Sequence, residues 1–522
     1  MPACCGGEEY ENGCAQSSAF NLLPHASIPL IRRGKVRRVK RLGPAAIVLL
    51  LAVGLSFVPA MRAKYTNWDD RVYVDAARQP LPVLLTAIVT GHWHPLTMLS
   101  LGLDVRLFGM NPAEMHVVNV ALHAVVALLV LLLLEQLTGS VAGALAGALF
   151  FAIHPLRVES VAWVSERKDV LMGVFFAAAL LAYLAHRRRG LSIGWTYLLF
   201  VLALLAKLTA ISLPLALLVI DYYEERRLRI VEKIPMFLLS VAGAAGAVAA
   251  IRSGPELTRF HFTFGERVLL AARALVMYLS REIVPANLSA FYVYPPYVGA
   301  PEWWSFIAVV ILGAAVVASA ARFPRVFAGL AFFFLTLAPM LPLLATGNAF
   351  VTDRYTYLPS IGLGLAVALG VMQLSMRTAI AAIVAGAAIL GALTWRRCEV
   401  WHDAQTLWLS VIDYDPTLAL AWNNLAHERR TAGDWRGSFA AVDRALELDP
   451  CYGTALRNEA VWFDEARQYG LEARDVEQML RCDPSDPRGW DFKGELMMKT
   501  GHPAEARQCF ARAKRLQAYR FR

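Results

Sequence analysis

The chain has few charged residues for its length. Charged side chains make up 18% of the 522 residues, whereas hydrophobic side chains make up 57%. A soluble globular protein carries about 25% charged residues. The mean hydropathy of +0.46 departs from the soluble average in the same direction. These values exclude an ordinary soluble protein and predict a polytopic membrane protein.

Motifs for nucleotides and metals are also lacking. The chain has neither a P-loop nor a clear Rossmann glycine pattern, which argues against a nucleotide cofactor. None of its cysteines has metal-ligand spacing. The seven are Cys4, Cys5, Cys14, Cys398, Cys451, Cys482 and Cys509. A bridge between Cys451 and Cys482 is one alternative, but buried free thiols are the favoured interpretation.

The basic residues are concentrated in clusters. They lie within residues 32–41, 187–189 and 226–229. Such clusters mark the cytoplasmic ends of membrane spans, so the net charge of +10 does not predict a nucleic-acid partner. Residues 1–42 are predicted to be a disordered, basic, cytoplasmic N-terminus. No clear small-residue cleavage site follows, so the first span is expected to remain as an anchor.

Residues 43–394 are predicted to form a membrane domain of about 11 spans. A span needs about 20 apolar residues, and the first covers Gly43–Met61. The others are His116–Leu137, Val141–Ile153, Val170–His186, Trp195–Leu205, Ala210–Tyr222, Ile234–Ile251, Trp303–Ala321, Val326–Ala345, Pro359–Met376 and Thr378–Thr394. The amphipathic segment 266–285 leaves two alternatives, a further span or an interfacial helix. The interfacial helix fits the later basic residues better.

The composition changes to that of soluble helices at residue 395. Asp-Pro pairs recur every 34 residues, at Asp415, Asp449 and Asp483, and 34 residues is the period of tetratricopeptide (TPR) repeats. Residues 395–522 are therefore predicted to form a TPR α-solenoid of about 3.5 repeats, which makes the whole chain all-α. Stacked repeats form a concave surface, so a protein or peptide partner is expected. The predicted partner-binding residues are Trp422, Asn423, Asn424 and Trp490.

Two adjacent carboxylates, Asp69 and Asp70, directly follow the first predicted span. Charges beside hydrocarbon are costly and are usually retained for a function. Such a pair can act as a general base toward an acceptor hydroxyl, or it can hold a divalent cation. His92 and His94 also have a spacing that suits a metal, but no further ligands accompany them. The sequence therefore predicts no defined metal site and leaves a cation cofactor open.

Further polar stretches fall on the same predicted side of the membrane as this pair. The basic residues predicted to bind an anionic phosphate are Arg167, Lys168 and Arg354. The residues predicted to support the site are His94, His154, Glu159, Glu166, Asp169 and Asp353. Structural alternatives exist for most of them. Arg167 and Lys168 can be interfacial anchors, Arg354 can pair with Asp353, and His154 can cap a helix. Glu159 and Asp169 can simply neutralise the neighbouring basic residues.

An acidic base beside a cationic clamp at the edge of hydrocarbon suits a substrate with a lipid tail and a phosphate head. The stretches Trp68-Asp69-Asp70, residues 154–169 and residues 353–360, followed by 34-residue repeats, resemble the transmembrane and TPR O-mannosyltransferases and their bacterial relatives. The resemblance implies a multi-span GT-C glycosyltransferase, a polyprenyl-phosphate sugar donor and transfer on the non-cytoplasmic side. It also implies that Asp69 or Asp70 is the base or a metal ligand.

The expected function is therefore transfer of a sugar, with mannose favoured, from a polyprenyl phosphate to a hydroxyl of a protein acceptor. The expected location is the bacterial inner membrane, with membrane lipid as surroundings and the TPR repeats on the periplasmic side. The alternative is a membrane-anchored TPR scaffold that assembles envelope proteins without catalysis. Charged stretches and many spans argue against the scaffold, because a plain anchor needs neither.

Overall fold

The computed structural model describes residues 35–252, 262–343 and 349–520. The predicted disordered segment falls mainly outside these ranges, and so do Cys4, Cys5 and Cys14. Its predicted end at residue 42 lies within the first helix, Lys35–Ser56. A compact unit begins at Gly43, and it contains the features described below.

Helices dominate the membrane part of the chain. In chain order they are α1 (Lys35–Ser56), α2 (Val58–Met61), α3 (Asp70–Ala77), α4 (Leu81–Leu84), α5 (Pro95–Phe108), α6 (Pro112–Thr138), α7 (Val141–Ala152), α8 (Val158–Ala162), α9 (Arg167–Arg189), α10 (Gly194–Ala206), α11 (Leu213–Glu225), α12 (Ile234–Arg252), α13 (Phe264–Ile283), α14 (Ala300–Arg322), α15 (Pro324–Leu337), α16 (Ser360–Val371) and α17 (Met376–Val400). Short 3-10 turns link several of them, at Pro155–Arg157, Val164–Glu166, Leu208–Ser212, Val231–Lys233, Ala338–Met340 and Asp353–Thr356.

Several of these helices can cross a bilayer. In the described ranges, four helices are long and apolar enough to span, or five if the bent pair of α7 and Pro155–Ala162 is one span. Shorter apolar helices accompany them. The apolar windows of α14 and α17 are almost entirely exposed, as expected for surfaces that face lipid. The chain is thus an integral membrane protein, and the count of 11 spans stays a prediction.

Glycines bring two of the apolar helices into close contact. Gly147 on α7 faces Gly364 on α16, and a Cβ added to Gly364 would lie 2.9 Å from the carbonyl oxygen of Gly147. Small residues let helix backbones approach this closely inside a membrane. The contact fixes α7, and therefore the polar turn that follows it at His154.

A small hairpin interrupts the all-α pattern. Strands β1 (Ile88–Val89) and β2 (His92–Trp93) pair antiparallel, with Val89 opposite His92. Thr90 and Gly91 connect them, and both have positive φ, of 48° and 77°. A two-residue hairpin connection of type I′ requires positive φ at both positions. The hairpin presents His92 and Trp93 on the first long loop.

The C-terminal part consists of helices in a regular order. They are α18 (Ala404–Tyr414), α19 (Ala419–Thr431), α20 (Trp435–Leu448), α21 (Gly453–Glu465), α22 (Tyr469–Cys482), α23 (Pro487–Lys499) and α24 (Pro503–Arg520). The first helices of three successive pairs begin at Ala419, Gly453 and Pro487, which are 34 residues apart. This spacing reproduces the period of the Asp-Pro pairs.

The structure corrects the prediction for one pair of cysteines. Cys451 and Cys482 form a disulfide, with their Cα atoms 5.5 Å apart, whereas free thiols were the favoured interpretation. Cys451 lies in the turn before α21, and Cys482 ends α22. The helical pair α21 and α22 brings the chain back to the turn before α21, so the two cysteines lie side by side. Cys398 and Cys509 are buried free thiols, as predicted.

Candidate active site

The two acidic residues that open the first loop have different environments. Asp70 is fully buried at the start of α3. Its Oδ2 accepts hydrogen bonds from the Thr66 amide at 2.8 Å and the Thr66 hydroxyl at 2.9 Å, and its Oδ1 accepts one from the Ser165 amide at 2.8 Å. Burial raises the pKa of Asp70 to about 6, against the opposing effect of these bonds. Asp70 therefore ties the first loop to the turn at Ser165.

Asp69 occupies the preceding position and is partly exposed. Its carboxylate lies close enough to Lys168 for their charges to interact. The neighbouring Trp68 fixes the loop, because its ring packs 4.9 Å from Trp163 and 5.2 Å from Trp408. Asp69 is thus held in place at the rim of a charged site.

A cluster of six charged residues lies beside Asp69. We call it the charged cluster, and it consists of Glu159, Glu166, Lys168, Asp169, Lys207 and Arg354. Glu166 is at its centre, because its Oε1 lies 3.2 Å from Lys168 and 3.3 Å from Arg354 while its Oε2 lies 2.8 Å from Lys207. Lys207 also contacts Asp169 at 2.7 Å. Formal charges in the cluster balance at three positive and three negative.

Aromatic rings form one wall of the charged cluster. Lys168 lies 4.7 Å from the centre of the Tyr73 ring, and Arg354 lies 5.4 Å from that of Trp163. Arg354 also forms an ion pair with Glu159, whose other oxygen accepts the Arg354 amide at 3.1 Å. Cations over ring faces are stabilised by the ring quadrupole. Arg354 is 17% exposed, which makes it the most accessible cation of the cluster.

A break in the helical backbone creates the space for these groups. After α7 the chain turns at His154 and Pro155, forms α8, and turns again before α9. The His154 ring accepts a hydrogen bond from the Leu156 amide at 3.3 Å, so the structure supports the capping alternative for this residue. Non-helical backbone at membrane depth is tolerated where it lines a polar cavity or is buried in protein.

Lys207 is a site residue that the sequence analysis missed. It is buried in the turn between α10 and α11. The sequence feature that could have indicated its role is that it is a single lysine between two apolar segments, on the same predicted side of the membrane as Asp69. Its neighbours carry no other charge, so it does not stand out as the charged stretches do.

Arg167 has a different position from Lys168. Its guanidinium contacts Asp104 at 2.6 Å, the Ser100 hydroxyl at 3.0 Å and the Met115 carbonyl at 3.0 Å, and it also donates to Asn119. These contacts join α9 to α5 and α6. They give Arg167 a structural role, separate from the charged cluster that contains Arg354.

Asp353 also lies outside the cluster. It does not pair with Arg354; instead it accepts from the Tyr292 hydroxyl at 3.0 Å and lies 3.7 Å from Arg397. Burial raises the pKa of Asp353, partly offset by the charges of Arg397 and Arg281. Asp353 therefore anchors the turn from which Arg354 projects.

The two histidines of the first loop adjoin the charged cluster. Their rings stack with centres 5.6 Å apart, and His94 is buried whereas His92 is exposed. Burial, followed by the charge of Lys168, holds the pKa of His94 well below its usual value. In the ranges that the structure covers, no group of three or more His, Cys, Asp or Glu side chains is arranged to hold a metal. The divalent cation stays an open prediction.

The repeat helices contact the acidic loop directly. The Asn67 amide donates to the Asn424 carbonyl at 2.9 Å, and the Trp408 indole donates to Asn67 at 2.6 Å. Asn423 instead accepts from Asn458 of the next helical pair at 2.9 Å. Asn67 therefore links the first loop to α18 and α19.

The two predicted partner-binding tryptophans have internal hydrogen bonds. Trp422 donates to the Pro416 carbonyl and Trp490 to the Pro484 carbonyl, each at 2.9 Å. Each bond fastens a helix to its preceding Asp-Pro turn. Both indoles are partly buried, which gives them a packing role within their own repeats.

Comparisons with known proteins find relatives among the O-mannosyl-transferases. The chain is 42% identical over 127 residues to protein O-mannosyl-transferase Tmtc1 of Drosophila melanogaster, a match covering 23% of this chain and 14% of that protein. It is 26% identical over 384 residues to protein O-mannosyl-transferase F38B6.6 of Caenorhabditis elegans, covering 69% of this chain and 54% of the relative. The chain spans about half of the length of these relatives or less. No protein-family model matches it.

Among solved structures, ArnT from Cupriavidus metallidurans bound to undecaprenyl phosphate aligns at 15% identity and a TM-score of 0.35. The alignment covers 79% of this chain and 76% of that chain. A TM-score at this level does not establish a shared fold. The matches in sequence, by contrast, confirm that the chain resembles the transmembrane and TPR O-mannosyltransferases, as its motifs predict.

Proposed function

We propose that the chain is an integral-membrane GT-C glycosyltransferase that moves a sugar, with mannose favoured, from a polyprenyl phosphate to a hydroxyl of a protein acceptor. The observation that carries this proposal is the charged cluster beside Asp69, in a chain related to O-mannosyl-transferases. The acceptor oxygen bonds to the sugar as the bond between the sugar and the phosphate breaks. The acceptor proton passes to a base, and the lipid phosphate departs with the bonding electrons.

The departing phosphate is assigned to Lys168 and Arg354. Both now contact the same oxygen of Glu166, at 3.2 and 3.3 Å, whereas Lys207 holds the other oxygen at 2.8 Å. A phosphate oxygen can therefore replace Glu166 Oε1 as their acceptor while Lys207 keeps the carboxylate neutralised. Charged donors that face developing negative charge are worth about 3 kcal/mol each in a transition state.

The base is assigned to Asp69 rather than Asp70. Asp70 already accepts three hydrogen bonds in the protein interior, and taking a proton there would disrupt them. Asp69 is partly exposed at the rim of the cluster, where an acceptor hydroxyl can approach. Its nearness to Lys168 brings the base and the phosphate clamp together, as a transfer reaction requires.

The repeats are proposed to form a short TPR solenoid on the same, non-cytoplasmic side as Asp69. Asn67 and Trp408 support this, because they link the first loop to the repeat helices. The disulfide between Cys451 and Cys482 supports an oxidising compartment, since cytosolic proteins rarely keep such bonds. A bacterial periplasm is both non-cytoplasmic and oxidising.

The test is a transfer assay with the purified full chain. The protein is incubated with polyprenyl-phosphate mannose and an extract of envelope proteins, and glycosylated peptides are identified by mass spectrometry. Parallel reactions use polyprenyl-phosphate glucose, and a chelator with and without added Mn²⁺, to define the sugar and the cation requirement. Labelled peptides support the proposal. The scaffold function would be favoured if no donor gave a product while the immobilised chain still retained proteins from the envelope extract.

A further inference from the structure

A second charged pocket, lined by other residues, lies at the junction of α13 and α18. Its cavity measures about 480 Å³ and is lined by Ser280, Arg281, Ile283, Val284, Ala286, Asn287 and Tyr414. The wall from α13 and the loop after it belongs to the membrane part, and Tyr414 ends the first repeat helix. None of these residues belongs to the charged cluster.

The floor of this pocket carries an unsatisfied cation. Arg281 is 91% buried, and its Nη1 has no hydrogen-bond partner among the residues that the structure describes. The guanidinium lies 4.0 Å from the centre of the Tyr292 ring, which stabilises the charge without using its donors. A buried donor without a partner costs free energy, and Arg281 lines the cavity, so a ligand that accepts from its guanidinium would be stabilised.

The charges around Arg281 leave a positive excess. The neighbouring Glu282 is paired with Arg157 at 2.5 Å. Asp353 lies behind Tyr292 and is shared between Arg281 and Arg397. The charges of Arg281 and Arg397 therefore act on one carboxylate, and this positive excess around Arg281 favours an anionic ligand.

The rim of the pocket is apolar. The side chains of Ile283 and Val284 are 71% and 62% exposed at the end of the amphipathic helix α13. An arginine beneath exposed aliphatic residues matches a lipid, because the acyl chains can cover the rim while the headgroup reaches the base. We propose that the pocket around Arg281 binds the phosphate of a membrane lipid, at a site separate from the one assigned to the sugar donor.

The experiment measures lipid binding by native mass spectrometry of the detergent-purified full chain. Phosphatidylglycerol is titrated against wild type, Arg281→Gln, Arg281→Lys and Arg267→Gln. Arg267 is a matched control, because it lies on the same helix and donates to the Phe262 carbonyl at 3.1 Å. Loss of a charged hydrogen bond lowers affinity about tenfold or more. We therefore expect about tenfold weaker binding for Arg281→Gln, a smaller loss for Arg281→Lys and no change for Arg267→Gln.

Two further titrations distinguish a lipid phosphate from free phosphate as the ligand. Diacylglycerol supplies the tails alone, and inorganic phosphate supplies the anion alone. The proposal requires that diacylglycerol binds at least tenfold more weakly and that inorganic phosphate displaces the lipid only in large excess. Equal binding to wild type and Arg281→Gln would overturn it. Displacement by equimolar inorganic phosphate, or by a soluble acidic peptide, would assign the pocket to another anion and refute the lipid proposal.

Discussion

Lys207 offers a sharp test of the charged cluster, because a single substitution removes the neutralising charge from two buried carboxylates. Its ammonium lies 2.8 Å from Glu166 and 2.7 Å from Asp169. Removing one partner of a buried ion pair costs about 3–5 kcal/mol. Lys168 and Arg354 still contact Glu166, so Lys207→Met is expected to cost about 3 kcal/mol, the lower end of that range.

The assay is thermal unfolding of the purified full chain in detergent, together with the rate of sugar transfer. Lys207→Met should lower the Tm by several degrees and greatly reduce transfer. Adding Asp169→Asn removes one of the stranded charges, so the double variant should recover part of the Tm, with a coupling of about 1–2 kcal/mol. It should not recover transfer, because the clamp still lacks its neutralising lysine.

The control is Lys64→Met, which removes an exposed lysine near the acidic loop. It should leave both the Tm and the transfer rate unchanged. A wild-type Tm and transfer rate in Lys207→Met would refute the role of Lys207 in neutralising Glu166 and Asp169. Additive effects of Lys207→Met and Asp169→Asn on the Tm would equally refute the direct contact between the two residues.

Three other predictions concern separate parts of the molecule. Arg354→Gln should reduce transfer at least tenfold and also lower the Tm, because it removes the cation paired with the buried Glu159, whereas Arg167→Gln should lower the Tm with a smaller loss of transfer; full transfer by Arg354→Gln would exclude it from the phosphate clamp. Burial, with the charges of Asp475 and Asp443, raises the pKa of Glu459 to about 8. Its protonated form therefore stabilises the repeats, and this stability is complete below about pH 4.5 and lost as the pH rises through about 8. The protection factors of residues 453–482, which correct for the intrinsic pH dependence of amide exchange, should fall over that window in wild type and fall less in Glu459→Gln, where Glu472 still titrates with a pKa of about 7. Finally, Cys451→Ser should destabilise the repeats by about 2–4 kcal/mol, measured by the same exchange, and reduction of wild type should reproduce this effect.

The sequence predicted the broad location of the site because hydropathy and charge are properties of whole segments. Apolar helices flank each polar stretch, so alternation placed Asp69, residues 154–169 and Arg354 on one side. Which of two neighbouring residues faces the site depends instead on helical phase. Consecutive residues on a helix point about 100° apart, so Arg167 faces Asp104 while Lys168 faces the cluster.

Other features depended on tertiary contacts that no local pattern contains. Asp70 is buried because Thr66 and Ser165 supply its donors, and Ser165 is 95 residues away. Lys207 joined the cluster from a segment with no neighbouring charge. The Cys451–Cys482 disulfide forms because the helical pair α21 and α22 brings the two cysteines together. Their 31-residue separation is close to the repeat period and could have indicated the bond.

In the proposed reaction, Asp69 is the base and Asp70 holds the loop. The most direct measurement compares single-turnover transfer from polyprenyl-phosphate mannose by Asp69→Asn and Asp70→Asn. A general base contributes about 10²–10⁴-fold to the rate, so Asp69→Asn should lose at least a hundredfold in rate while keeping the wild-type Tm. Asp70→Asn should lower the Tm, because its amide nitrogen replaces one carboxylate oxygen and cannot accept either the bonds from Thr66 or the bond from Ser165. Full transfer activity of Asp69→Asn would contradict the assignment of Asp69 as the base.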